Sequence, residues 1–240
     1  HWQVENTVNL IDEGNTIPFI ARYRKEAHGT LDDQVLRELS ERLEYLRNLD
    51  KRREEVSSAI ISQEKMTPEI EKALSEASTL AEIEDIYRPF RPKRRTRASI
   101  AKEKGLEPLA NLIFEQNADS PSPFELAEEY VNAENGVETA QEAVAGAMDI
   151  IAENISDDAD IRRRLRSLFT VSGVVQSRAA DSEAESVYTM YYEYDEPVNK
   201  IAGHRVLAID RGEKEGFLKV SVSVDPVKAH DLINKRILLN

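Results

Sequence analysis

The longest run of patterned apolar positions lies in "GTLDDQVLRELSERLEYLRNLDKRREEVSSAIISQE". Leu36, Leu39, Leu43, Leu46 and Leu49 recur every three or four residues, and Val56 and Ile60 continue the face. That spacing stacks side chains along one stripe of an α-helix. Thr30 is the expected N-cap, with Asp32 and Asp33 placing negative charge in the first turn. About thirty helical residues span about 45 Å, enough to cross a small domain.

Shorter helices are announced by their ends. Residues 3–13 read as a helix closed by Gly14. Pro18 then breaks the pattern, because it disfavours a helical Ile17. Thr67-Pro68 opens a helix with proline at its first position. "TLAE" (Thr79, Glu82) and "SPFE" (Ser122, Glu125) match the capping box, in which each side chain satisfies the other residue's backbone N–H. "GVETAQEAVAGAMDIIAENI" and "DDADIRRRLRSLF" read as a helix pair. After Gly173 the character changes. "FLKVSVSV" (217–224) alternates and is β-branched, a strand signal. A lone strand needs a partner; "HRVLAI" is either that partner or a helix.

These readings give a mostly α fold: a multi-helix, bundle-like array with a short β element near the C-terminus. Three regions are expected: helices over 1–62, a second helical region over 63–172, and a mixed α/β segment over 173–240. At 240 residues the chain has the length to bury a sizeable core. No stretch approaches the 18 apolar residues of a membrane span. The absence of cysteine removes disulfides and thiolate chemistry and fits a reducing, cytoplasmic setting. The chain starts at His1 and not Met, so it is expected either to begin inside a longer protein or to have lost its first residues.

Charge changes the picture most. The formal net charge is -13, yet residues 88–104, "RPFRPKRRTRASIAKEK", carry +7, leaving -20 on the remaining 223. The basic residues are Arg88, Arg91, Lys93, Arg94, Arg95, Arg97, Lys102 and Lys104. Pro89 and Pro92 predict an extended segment here. One reading is phosphate neutralisation, for which the planar arginine fork is suited. The other is a strap lying across acidic helix faces of the same chain. The surrounding negative field opposes tight binding of a polyanion.

Other chemistry is sparse. The four histidines (His1, His28, His204, His230) lack metal-ligand spacing. There is no nucleophile elbow, Walker loop or Rossmann glycine pattern. Asp210 reads as a loop or helix-end carboxylate. "IRRRLR" (161–166) follows Asp157, Asp158 and Asp160, an order the helix dipole favours. Arg22, Arg24 and Lys25 are uninformative alone. Tyr188, Tyr191, Tyr192 and Tyr194 fit either base stacking or an aromatic core. No enzyme constellation, metal or cofactor is expected.

Three stretches together are distinctive: "NTIPFIARYRKEAHGTLDD" (15–33), "YRPFRPKRRTRASIAKEKGLEPLA" (87–110) and "YDEPVNKIAGHRVLAIDRGEKEGFL" (194–218). They resemble the N-terminal region of the bacterial Tex family, the transcription accessory proteins. The third departs from the family pattern in having Ala202-Gly203 before His204-Arg205, where Pro-Ser is expected. His28 stands where a small or polar residue is expected. The resemblance implies a cytoplasmic, largely helical protein with a helix-turn-helix-like portion. It implies continuation into an RNase-H-like domain, helix-hairpin-helix elements and an RNA-binding barrel. It also implies kinship to a eukaryotic elongation factor that engages RNA polymerase and histones. The implied partners are nucleic acid, RNA or DNA, through Arg88, Arg91, Lys93, Arg94, Arg95 and Arg97; the downstream domains of the same protein; and the transcription machinery. The alternative is a protein-binding scaffold that never touches nucleic acid.

Overall fold

The computed structural model describes residues 1–29, 31–92 and 95–239. Thr30, the cap expected from sequence, lies outside them. Among the described residues the fold is thirteen α-helices with one three-stranded antiparallel sheet near the C-terminus. The chain divides into two units, His1–Phe90 and Arg91–Asn240.

The first unit contains α1 (Trp2–Asp12), α2 (Ile17–Tyr23), α3 (Lys25–His28), α4 (Asp33–Ile61), α5 (Pro68–Glu76) and α6 (Leu80–Tyr87). Pro18 does not end a helix. It sits in the first turn of α2, behind the extended N-cap Thr16, and Ile17 is helical. Proline costs no hydrogen bond there, because first-turn N–H groups have no intrahelical acceptor. Helix α4 is the long rod expected, capped by Asp32, whose carboxylate accepts from the Val35 N–H at 2.9 Å.

Its apolar stripe is not uniformly buried. Leu36 joins Leu10 and Ile20 in one cluster. Leu49, Val56 and Ile60 join Leu74, Ala77 and Ile83 in another. Between them Leu46 is 41% exposed. The stripe continues past the gap between two small cores, so its middle residues find fewer neighbours. Arg53 ties α4 to the end of α5: Nε donates to the Leu74 carbonyl at 2.8 Å and Nη2 to that of Ala77 at 2.9 Å. A cation at those carbonyls also complements the helix dipole.

The second unit opens with α7 (Arg97–Glu103), α8 (Glu107–Phe114) and α9 (Pro123–Glu128), all packed on α10 (Ala140–Asp157). Small residues line this core: Ala98, Ala101, Ala110, Ala143 and Ala147 are buried with Leu106 and Leu109. Gly146 completes the close approach, since a Cβ there would run into Leu106 and Ala101.

Helix α11 (Ala159–Ser172) follows, capped by Asp158, and then the sheet: β1 (Val174–Ala179), β2 (Glu193–Pro197), α12 (Gly203–Lys214), β3 (Leu218–Ser223) and α13 (Pro226–Ile237). The strand order is β2-β1-β3. "HRVLAI" is therefore helix, within α12, and the partner of the expected strand is β1, with Val175 opposite Val222 and Ser177 opposite Val220. The helix wins because "GHRVLAIDRGEK" is long enough for three turns, carries Arg211 and Lys214 in its last turn, and is followed by Gly216 at φ +82°. Asp210 lies within this helix, paired with Lys214 one turn on at 2.7 Å, not in a loop.

Candidate nucleic-acid interface

The basic run is assembled from short local rules. Helix α6 begins with the expected capping box: Thr79 Oγ1 accepts from the Glu82 N–H at 3.2 Å and Glu82 accepts from the Thr79 N–H at 3.1 Å. It ends at Tyr87, and Arg88–Phe90 tighten into a 3-10 turn. The segment is thus coiled at Arg88, where the prolines predict extension; proline restricts φ to values a 3-10 turn also accepts. Thr96 then caps α7, accepting from the Ser99 N–H at 3.0 Å, and its hydroxyl donates to Glu153 of α10 at 3.0 Å. Arg97 occupies the first position of α7, whose first turn holds no acid. The dipole gives no support to a cation placed there.

Arg88, Arg91, Arg95 and Arg97 are exposed. Lys93 and Arg94 lie outside the described residues. Arg88 and Arg91 each have an interaction partner within the chain. Arg95 approaches Glu103 at 3.4 Å while 73% exposed. Arg97 approaches Asp149 of α10 at 3.5 Å while 86% exposed. Ion pairs this open are worth about 0–1 kcal/mol and are screened by salt. The two lysines at the end of the run are held more closely. Lys102 pairs with Glu107 at 2.8 Å, and Lys104 donates to the Gly136 carbonyl at 2.6 Å. Internal pairing thus describes the end of the run better than Arg95 and Arg97.

The tyrosines are core residues. Tyr188 and Tyr191 are buried with Ile209 and Leu218, and Tyr191 meets Tyr194 edge-on at 5.3 Å. Tyr192 donates to the Ala184 carbonyl at 2.5 Å. Burial and then Glu196 hold the Tyr194 hydroxyl above the usual phenol range.

On α11, Asp160 pairs with Arg163 and with Arg164, the latter at 2.7 Å. Sequence spacing gives no hint of Arg236 of α13, whose Nε is 3.7 Å from the same carboxylate. The hydrogen bonds from Arg163 and Arg164 hold the Asp160 carboxyl below its ordinary range. His28 is buried in α3, and among the described residues no group of three His, Asp or Glu side chains is placed to hold a metal. Among the described residues no helix is long and apolar enough to cross a membrane.

A helical chain with two family-typical spans and a cationic run between them in sequence defines the class. Residues 1–61 match the Tex-like protein N-terminal domain and residues 118–238 match the Tex central region. The chain belongs to the Tex family. It is 43% identical over 99% of its length to the protein YdcI of Bacillus subtilis, covering 33% of that protein. It is 41% identical over 93% of its length to the protein tex of Bordetella pertussis, covering 28% of it. A more distant relative is the human S1 RNA-binding domain-containing protein 1, 32% identical over 95% of this chain and 23% of that protein. The chain therefore spans about a third or less of the length of these curated relatives.

Proposed function

We propose that this chain is the helical scaffold portion of a Tex-like transcription accessory protein and that it contributes an auxiliary phosphate-contacting surface through Arg88, Arg91, Lys93, Arg94, Arg95 and Arg97. The observation that carries the reading is the exposure of Arg95 and Arg97 in long, open ion pairs. A phosphate oxygen can replace a carboxylate in such a pair with a stronger, two-point hydrogen bond. The relative named for an S1 RNA-binding domain supports nucleic acid as the anion. A helix-turn-helix-like portion, a cytoplasmic location and a non-enzymatic role belong to the same reading.

A second reading is a scaffold that binds a protein of the transcription machinery and no nucleic acid. It is favoured by the -20 charge outside residues 88–104, which repels a polyanion.

Titration with duplex DNA and with RNA at several salt concentrations separates the two. If the run neutralises phosphates, log K on duplex DNA falls against log salt with a slope of about 0.9 per phosphate neutralised. Changing Lys93, Arg94, Arg95 and Arg97 together to Ala flattens that slope. No binding at about 50 mM salt, where such interactions are strong, favours the protein-binding scaffold.

A further inference from the structure

Three guanidinium groups from two helices converge on one carboxylate. Asp160 receives Arg163 and Arg164 from its own helix and Arg236 from α13, which packs against α11. These four side chains carry a net +2. All three arginines are more than half exposed, whereas Asp160 is 28% exposed. The carboxylate, less exposed than the forks around it, draws them together; a guanidinium has five N–H donors, more than one carboxylate takes up from the exposed Arg164 and Arg236. Asp158 accepts the Ile161 N–H at 2.8 Å as the α11 cap, and Asp157 is buried.

Helix α10 links the basic run to the cluster. Arg97 is tied to Asp149 and Thr96 to Glu153, both on α10. Helix α10 ends at Asp157, eight residues beyond Asp149 and about 12 Å along its axis. Helix α11 opens at Ala159, two residues later, and Asp160 lies in its first turn.

We infer that Arg163, Arg164 and Arg236, organised by Asp160, form a second phosphate-contacting site that continues the one at Arg95 and Arg97 along the same nucleic-acid backbone. This rests on the phosphate reading of the basic run. The chemistry favours phosphate over a protein carboxylate because successive phosphates on one strand offer several acceptors to a row of forks, so their binding adds up without an ordered peptide.

The test uses the full chain and short duplex DNA over a range of salt, with circular dichroism confirming that each variant is folded. The triple variant Arg163→Gln/Arg164→Gln/Arg236→Gln should lower the salt slope by about 0.9 for each phosphate it no longer neutralises. The triple Lys variant, which keeps the charge, should retain most of it. A further drop on adding Arg95→Gln/Arg97→Gln is expected. If the triple Gln variant keeps the parent slope while Arg95→Gln/Arg97→Gln flattens it, the cluster inference fails and the basic-run reading stands. If only the cluster variant flattens the slope, the basic-run reading fails instead. Binding of poly-glutamate as tight as that of DNA, abolished in the same triple variant, would overturn phosphate as the ligand.

Discussion

Arg205, in the first turn of α12, donates through one nitrogen to both carboxylate oxygens of Glu196 on β2, at 2.8 and 2.9 Å. The Tyr194 hydroxyl donates to the same carboxylate and accepts from Arg205 at 3.2 Å. This links an edge strand to the helix that covers the sheet.

The Glu196 carboxyl is held below its ordinary value, first by the Tyr194 hydroxyl and then by Arg205. Its folded pKa is thus lower than its unfolded one. The stabilisation is fully present above the unfolded value, near 4.5, and is lost as pH falls through the lower folded value. Thermal melts followed by tyrosine near-ultraviolet dichroism should show Glu196→Gln less stable than the parent at neutral pH. The gap should narrow on acidification; a gap that widens would refute the assignment.

Arg53→Met removes both hydrogen bonds to the α5 carbonyls, and the expected loss is about 1–3 kcal/mol. Arg53→Lys should recover only part of it, because one ammonium lacks the fork that reaches Leu74 and Ala77 together. Urea unfolding of the three proteins measures this; full recovery by lysine would show that charge alone matters.

Helix α12 starts at an unfilled cap. Ala202 has the extended backbone of an N-cap, φ -74° and ψ 143°, with no side-chain acceptor for the first-turn N–H groups. Ala202→Asp should raise stability by about 0.5–2 kcal/mol. A melting temperature that does not rise would place the start of the helix elsewhere.

Gly173 is required for a reason other than positive φ. Its φ is -71°, but a Cβ there would collide with the Phe169 carbonyl oxygen and press on Val198. Gly173→Ala should cost about 1–3 kcal/mol, as overpacking does. Denaturant titration checks it.

The elements read most clearly from sequence are those whose signals are local. Thr67-Pro68, Thr79 with Glu82, and Ser122 with Glu125 mark true helix starts, because a cap needs only residues three apart. Strand β1 carries no such signal. "VVQSRA" is short, and what makes it a strand is pairing with β2 and β3, whose paired residues lie some 15 to 49 positions on. The same distance rule governs the site. The charge of the basic run is visible in the sequence, and so is the acid-before-base order of Asp160 and the arginines after it. That Arg97 meets Asp149, Thr96 meets Glu153 and Arg236 reaches Asp160 depends on helix packing, which periodicity does not encode.

The two apolar clusters served by α4 have one mechanical consequence. The rod's backbone hydrogen bonds run unbroken past the exposed Leu46, so opening either cluster leaves the helix anchored by the other. Fraying should start at the rod's two ends and reach its waist last. Amide hydrogens around Tyr45 would then outlast those near Asp33 and Ile61 in deuterium exchange, although the side chains at the waist are the less buried ones.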